Sequence, residues 1–330
     1  MFKERREKFM QQLGSGVAIV TSHHEMTRSA DTHYTFRQSS NLAYLTNFPE
    51  PDAVALFMPQ SKEHRFVMFV RPRNREREIW DGRRHGPEGA MKLFGADAAY
   101  SIEEIDKELP KYLENQRRVY YRFGDDEDFD DRVHRWTRAV RAKNRMGIAA
   151  PTEFVDPHEI IGEMRLIKDR LCVDTMRRAA QLSMQAHRHG MKVTKPGMNE
   201  YQLQAEMEYF CRMRGSPAQA YGSIVAGGDN ANILHYHENN QPLKDGDLVL
   251  VDFGCEIDNY ASDITRTWPV NGRFTPEQKV IYDLVLEAQR RSIEACKVGT
   301  TIRRVHEISA LTLAEGLKEL GILKGDPERH

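Results

Sequence analysis

The order of apolar and polar positions changes character along the chain. Short apolar runs at Gly16–Ser22, Ala53–Met58, Arg65–Val70 and Arg118–Phe123 read as strands. Apolar residues recurring at three and four predict helices over Phe2–Leu13, Ser101–Glu114 and Asp130–Lys143. This alternation predicts an α/β domain with helices packed on a sheet. The stretch GIAAPTEFVDPH, Gly147–His158, holds two prolines and little periodicity, which suits a linker. The expected boundary lies near residue 155, dividing the chain into 1–155 and 156–330.

Beyond that boundary the helical period is stronger. Asp174–Lys192 predicts a long helix ended by Lys195–Gly197, and Asn199 with Gln202 forms the capping box of a second. After Gly215 the period falls to two, and Ser223–Ala226, Asn232–His237, Leu248–Gly254 and Ala261–Val270 predict a largely antiparallel sheet. Thr275, Pro276 and Gln278 then open a helix running to about Cys296, and another spans Ile302–Leu320. Two helices, strands and two more helices make half of a repeating plan, so the second helix pair is expected to want a further sheet.

Composition removes several classes of function. Charged residues make up 29% and hydrophobic ones 40% of 330 residues, with no apolar run near the roughly 20 residues a membrane helix needs. The opening MFKERREKFM is charged from Lys3 to Lys8 and reads as a helix, not as a secretory signal. Forty-eight basic against forty-nine acidic residues give a net charge of −1, hence no broad field for gripping nucleic acid. Arg71, Arg73, Arg75 and Arg77 are interrupted by Glu76 and Glu78 and read as a solvated, self-paired face. Cys172, Cys211, Cys255 and Cys296 are far apart, as expected of free thiols in a cytoplasmic protein, and their spacing excludes a cysteine metal knuckle.

The sharpest chemical signal is LVLVDFGCEIDNYASDITRTWPV, Leu248–Val270. Two strands flank a polar turn at Glu256–Asn259, and pairing about a centre between Ile257 and Asp258 sets Asp252 opposite Asp263. Opposed residues in such a ladder have Cβ atoms about 4.5–5.5 Å apart. Asp252 ends a strand apolar enough to be buried on both faces, where two facing carboxylates repel and need compensation. Divalent ions would supply it, with hard oxygen donors favouring Mn, Mg or Ca. Spacing leaves two other answers open: a proton shared between the aspartates, or Arg266 paired with Asp263.

With its upstream NANILHYHEN and the phrases DGDLVLVDFG and SDITRTWPV, this hairpin resembles the catalytic domain shared by aminopeptidase P, prolidase, methionine aminopeptidase and creatinase, the pita-bread fold. DTHYTFRQSSNLAYLTNFPEPDAV (Asp31–Val54) and EIWDGRRHG (Glu78–Gly86) resemble the N-terminal domain of aminopeptidase P. The similarity runs from about Phe2 to Asp326. It implies an α/β N-terminal domain followed by an α+β pita-bread catalytic domain. The implied activity is that of an Xaa-Pro aminopeptidase, a hydroxide bridging two metals attacking the carbonyl before a proline in second position.

By the same resemblance two divalent ions, most often Mn, are held by two aspartates, a histidine and two glutamates. Asp252 matches the aspartate chelating one metal and Asp263 the one bridging both. His235 matches a histidine beside the metals that contacts substrate around the scissile bond; from the residues alone, without the motif, it reads as a strand histidine with a satisfied ring. Tyr221 matches a tyrosine lining the pocket for the residue before proline. Trp80 and Arg145 match residues that reach a neighbouring subunit's active site in family tetramers, which implies a homo-oligomer, dimer or tetramer.

Nothing after Cys296 resembles the family's remaining three ligands or its second catalytic histidine, so the catalytic domain reads as incomplete at its C-terminus. The expectation is that the 330 residues by themselves have little activity. Two rival readings stay in view: a prolidase cutting Xaa-Pro dipeptides, and a metal-free pita-bread module acting as a binding or scaffold protein.

Overall fold

In a computed structural model the chain is described over residues 1–326 and divides into two compact units, the first ending at Thr175 and the second beginning at Met176. The first unit runs α1 (Phe2–Leu13), β1 (Val17–Thr21), β2 (Thr27–Ser29), β3 (Thr32–His33), α2 (Ser40–Thr46), β4 (Val54–Phe57), β5 (Phe66–Val70), α3 (Arg75–Asp81) and α4 (Gly86–Phe94). It continues through β6 (Ala98–Ser101), α5 (Ile105–Leu113), β7 (Arg118–Tyr120), α6 (Glu127–Arg141), β8 (Glu153–Val155) and α7 (His158–Leu166). A six-stranded sheet of order β6-β5-β4-β1-β7-β8 forms its centre, antiparallel in the middle and parallel at both edges.

Every residue of β4 and β5 is buried, so apolar side chains leave both faces of the sheet. Val54, Leu56, Val67 and Phe69 pack with Leu109 of α5 and Val133 and Trp136 of α6. On the opposite face Phe9 of α1 meets Phe57 edge-on, with ring centroids 5.3 Å apart. In the arginine-rich run Arg73 donates to Glu78 at 3.1 Å as expected, while Arg71 pairs outside it with Glu25 at 3.6 Å.

The expected linker is not one. Its last residues form β8, which pairs in parallel with β7 through Arg118↔Glu153 and Tyr120↔Val155, and α7 follows at once. Three residues are too few to show a period, which is why the strand is invisible in the pattern. The compact division falls some twenty residues after the expected boundary, within α8 (Arg170–Val193).

The second unit continues with α9 (Glu200–Arg212), β9 (Ala218–Gln219), β10 (Ile224–Gly227), β11 (Leu248–Phe253), β12 (Cys255–Ile257), β13 (Tyr260–Ala261), β14 (Ile264–Pro269), α10 (Pro276–Ala295) and α11 (Ile302–Glu319). β10, β11 and β14 form an antiparallel sheet with β11 central. The alternation along β11 has one face with Val249, Val251 and Phe253 fully buried against Leu182 and Ala186 of α8 and Leu203 and Met207 of α9. The other face, Leu250 and Asp252, is only half covered, so burial on both faces of β11, the sequence expectation, is corrected.

Asn232–His237, expected as a strand, is instead the end of a 3-10 turn (Gly228–Asn232) followed by irregular chain. Burial does not alternate along it: Asn232, Ile233, Leu234 and His235 are all exposed, and Tyr236 alone turns inward before the exposed His237. The segment is a loop lying on a sheet, not a ladder within one. α10 and α11 pack on each other, and a Cβ at Gly316 would come 2.2 Å from a Leu284 methyl, so a larger residue there would have to displace that side chain. Val280, Val285, Ile293 and Ile302 remain exposed. Among the described residues β14 is the last strand.

Candidate functional site

The site is built on the β11–β14 hairpin, whose register differs from the sequence expectation. Asp258 and Asn259 both take positive φ, 50° and 63°, so they are the two central residues of the turn. The mirror-image two-residue turns that suit the twist of a hairpin need such residues, and Asp and Asn tolerate that conformation. The pairing centre therefore lies one residue later than expected, and Asp252 pairs with Thr265. Asp263 is two residues from Thr265. A shift that moves the partner by two residues keeps the side chain on the same face, so the two carboxylates still share it.

They meet at one hydroxyl. Tyr221 Oη lies 2.5 Å from Asp252 Oδ1 and 3.2 Å from Asp263 Oδ1. The tyrosine is brought there by backbone: the Ala220 N–H donates to the Gly254 carbonyl at 2.9 Å. A Cβ at Gly254 would lie 1.7 Å from the Ser262 carbonyl oxygen and 3.2 Å from the Tyr221 ring, so only glycine lets hairpin and tyrosine close together. Behind the hairpin, Ser262 and Ser183 of α8 share a hydrogen bond of 2.7 Å and the Cys255 N–H donates to Ser183 at 2.9 Å, all buried. His187 Nε2 donates to the Phe253 carbonyl at 3.3 Å, and burial pulls its pKa down, keeping the ring neutral.

The electrostatics of this trio are unbalanced. A phenol has one proton to donate. Two carboxylates share it, and burial, followed by the Asp252 hydrogen bond, pushes the Tyr221 pKa well above its usual value. The phenol is therefore neutral, and no charge in it offsets the pair. The arginine alternative fails on register, because Arg266 pairs across from Val251 on the other face and donates to the Thr265 carbonyl at 2.7 Å. Two under-donated carboxylates on one face are hard oxygen donors suited to a divalent ion. Among the described residues no group of three or more His, Cys, Asp or Glu could hold a metal, and Asp252 and Asp263 form a two-carboxylate arrangement.

His235 is exposed, and the hydrogen bonds that tie Tyr221 to both carboxylates do not extend to it. Its loop nevertheless lies on their side of the sheet. The neighbouring Tyr236 packs with Ile224, Ala226 and Leu250, and Ile224 and Ala226 pair with Asp252 and Leu250 on that face. Trp80, on α3 of the first unit, is 85% exposed, and Arg145 is exposed in a 3-10 turn (Asn144–Met146) of the same unit. One residue that shapes the site was missed: Glu200, the first residue of α9, fully buried beneath the His235 loop. In sequence it is an ordinary acidic residue in the first turn of a helix, and nothing there announces its burial.

The chain is similar to known proteins over nearly its whole length. A profile of Metallopeptidase family M24 matches residues 174–325, and one of the aminopeptidase P N-terminal domain matches residues 2–120. The chain is 39% identical over 327 residues to the Xaa-Pro aminopeptidase of Escherichia coli, covering 98% of this chain and 74% of that one. It is 38% identical over 321 residues to human Xaa-Pro aminopeptidase 3, covering 94% and 62%. Among solved structures, an aminopeptidase of Pseudomonas aeruginosa superposes with a TM-score of 0.98 at 45% identity, over 99% of this chain and 74% of that one. A zinc-substituted E. coli aminopeptidase P in complex with product gives 0.96 at 38% identity, over 99% and 75%. The chain belongs to metallopeptidase family M24, with an aminopeptidase P N-terminal domain preceding the pita-bread domain.

Proposed function

We propose that the protein is a metal-dependent Xaa-Pro aminopeptidase, hydrolysing the bond between an N-terminal residue and a following proline. The observation that carries this reading is the convergence of Asp252 and Asp263 on the single hydroxyl of Tyr221, a carboxylate pair its own chain leaves under-donated. Relatives that match nearly the whole chain are named Xaa-Pro aminopeptidases, which disfavours prolidase.

Asp252 and Asp263 would hold divalent metal, and the all-oxygen donors favour manganese over a thiolate-loving ion. When bound, such ions supply Lewis acidity toward the scissile carbonyl. Tyr221 and His235 would act beside them. Tyr221 orients the two carboxylates, and its ring walls the pocket for the residue before proline. His235, exposed on the same side of the sheet, donates to the oxygen that gains charge as the carbonyl is attacked.

We place the protein in the cytoplasm as a homo-oligomer. That all four cysteines stand outside any disulfide supports the first proposal. The second is supported by Ile79 and Trp80, 80% and 85% exposed on α3, with Arg145 as a further contact toward a neighbouring subunit. The deciding assay supplies Mn and follows release of the first residue from an Xaa-Pro-Yaa tripeptide and from an Xaa-Pro dipeptide. Metal-dependent tripeptide cleavage is expected where the remaining three metal ligands accompany Asp252 and Asp263, little activity is expected of the 330 residues by themselves, and turnover of the dipeptide alone would establish prolidase instead.

A further inference from the structure

We infer that Glu200 is the positioning residue for His235, holding residues 228–241 over the sheet face that carries Asp252; this rests on the catalytic reading of His235 given above. Glu200 is 0% exposed. A carboxylate buried that deeply is costly unless its lone pairs are filled, and each of its oxygens accepts two hydrogen bonds. Oε1 accepts from the Gly227 N–H at 2.8 Å and Asn230 Nδ2 at 2.9 Å. Oε2 accepts from Tyr236 Oη at 2.7 Å and the Gln241 N–H at 2.9 Å.

These donors belong to the entry of the loop, its 3-10 turn, the neighbour of His235 and the exit. One side chain therefore ties together a segment with no ladder of its own. Acidic residues in the first turn of a helix ordinarily stay in solvent near the helix dipole. Glu200 instead turns under the loop, and the Glu200 N–H donates back to the Gln241 carbonyl at 3.0 Å. Tyr236 is drawn inward to Glu200, while His235 and His237 on either side of it stay exposed. A second anchor, Asn239, bonds Val225 N and the Ser223 carbonyl and so fixes the exit, leaving the His235 half of the loop to Glu200.

Glu200→Gln keeps the shape but turns an amide donor toward two existing donors. Tyr236→Phe removes a single bond. Both variants of the whole chain are compared with wild type by hydrogen exchange, and by Xaa-Pro peptide turnover with Mn supplied. In Glu200→Gln, amides of 228–241 should exchange about ten-fold faster or more, with a smaller increase in Tyr236→Phe, while those of 248–253 stay protected. Turnover should lose kcat with KM held within about two-fold. Unchanged exchange of 228–241 in Tyr236→Phe overturns the inference even where Glu200→Gln fails to fold. A uniform rise across both segments overturns it too, since that marks a merely structural role. If the loop loosens while His235→Ala keeps full turnover, the anchor stands and the catalytic reading of His235 falls.

Discussion

Two acidic sites in the second unit use the same chemical group in opposite ways. Glu200 is wholly buried and accepts four hydrogen bonds from its own chain, so nothing is left for a ligand. Asp252 and Asp263 are half-buried and exposed, and share the one proton of Tyr221. A filled carboxylate organises backbone, whereas an under-donated pair awaits a cation. Exposure alone ranks them wrongly, since the deeper carboxylate is the one without open valence.

The comparison breaks first at the pair. Asp252→Asn or Asp263→Asn should lower kcat/KM on an Xaa-Pro peptide by about 10³-fold, some 4 kcal/mol of transition-state stabilisation. With chelator present, the same changes relieve like-charge repulsion and should leave unfolding stability unchanged or raised by up to about 1 kcal/mol, measured by urea denaturation. A marked loss of stability without metal would mean the pair is filled by the chain after all.

Tyr221→Phe tests the shared proton and should cost about ten-fold in kcat/KM, near the worth of one hydrogen bond to a charged group. Wild-type activity there would leave the phenol with no part beyond packing.

The smallest effect belongs to a third carboxylate arrangement, in the first unit. His24 lies with Nδ1 2.6 Å from Asp52 and Nε2 2.9 Å from Asp126. The Asp52 hydrogen bond, reinforced by that of Asp126 against partial burial, raises its pKa to about 9. A raised histidine pKa stabilises the fold fully below the unfolded value near 6.5, and that contribution fades as pH climbs toward about 9. His24→Gln should flatten the difference in unfolding midpoint between pH 6 and pH 10, by under about 1 kcal/mol because the ring is largely exposed. An unaltered pH profile would show that the bridge holds nothing.

Much of this was legible beforehand. Helices α1, α8 and α10 and strands β1, β4, β5, β10 and β11 announce themselves by period, because each turns a continuous apolar stripe or face to a core. That Asp252 and Asp263 share one face was legible too, since parity survives the error in register. The turn at Asp258–Asn259 could have been found from its residue types, both of which accept positive φ. The edge strand β8 left no periodic trace, and the residue pattern of Asn232–His237 imitated a strand.

By itself, the order of residues determined which segments coil or extend, which carboxylates share a hairpin face, and the family to which the chain belongs, because these follow from local period and from motifs contiguous in the chain. Only the tertiary structure decided that Tyr221 joins the two aspartates, that Arg266 does not, and that Glu200 lies sealed under the His235 loop. Those outcomes depend on which hydrogen-bond donors distant segments bring to a carboxylate, and no local pattern encodes that count.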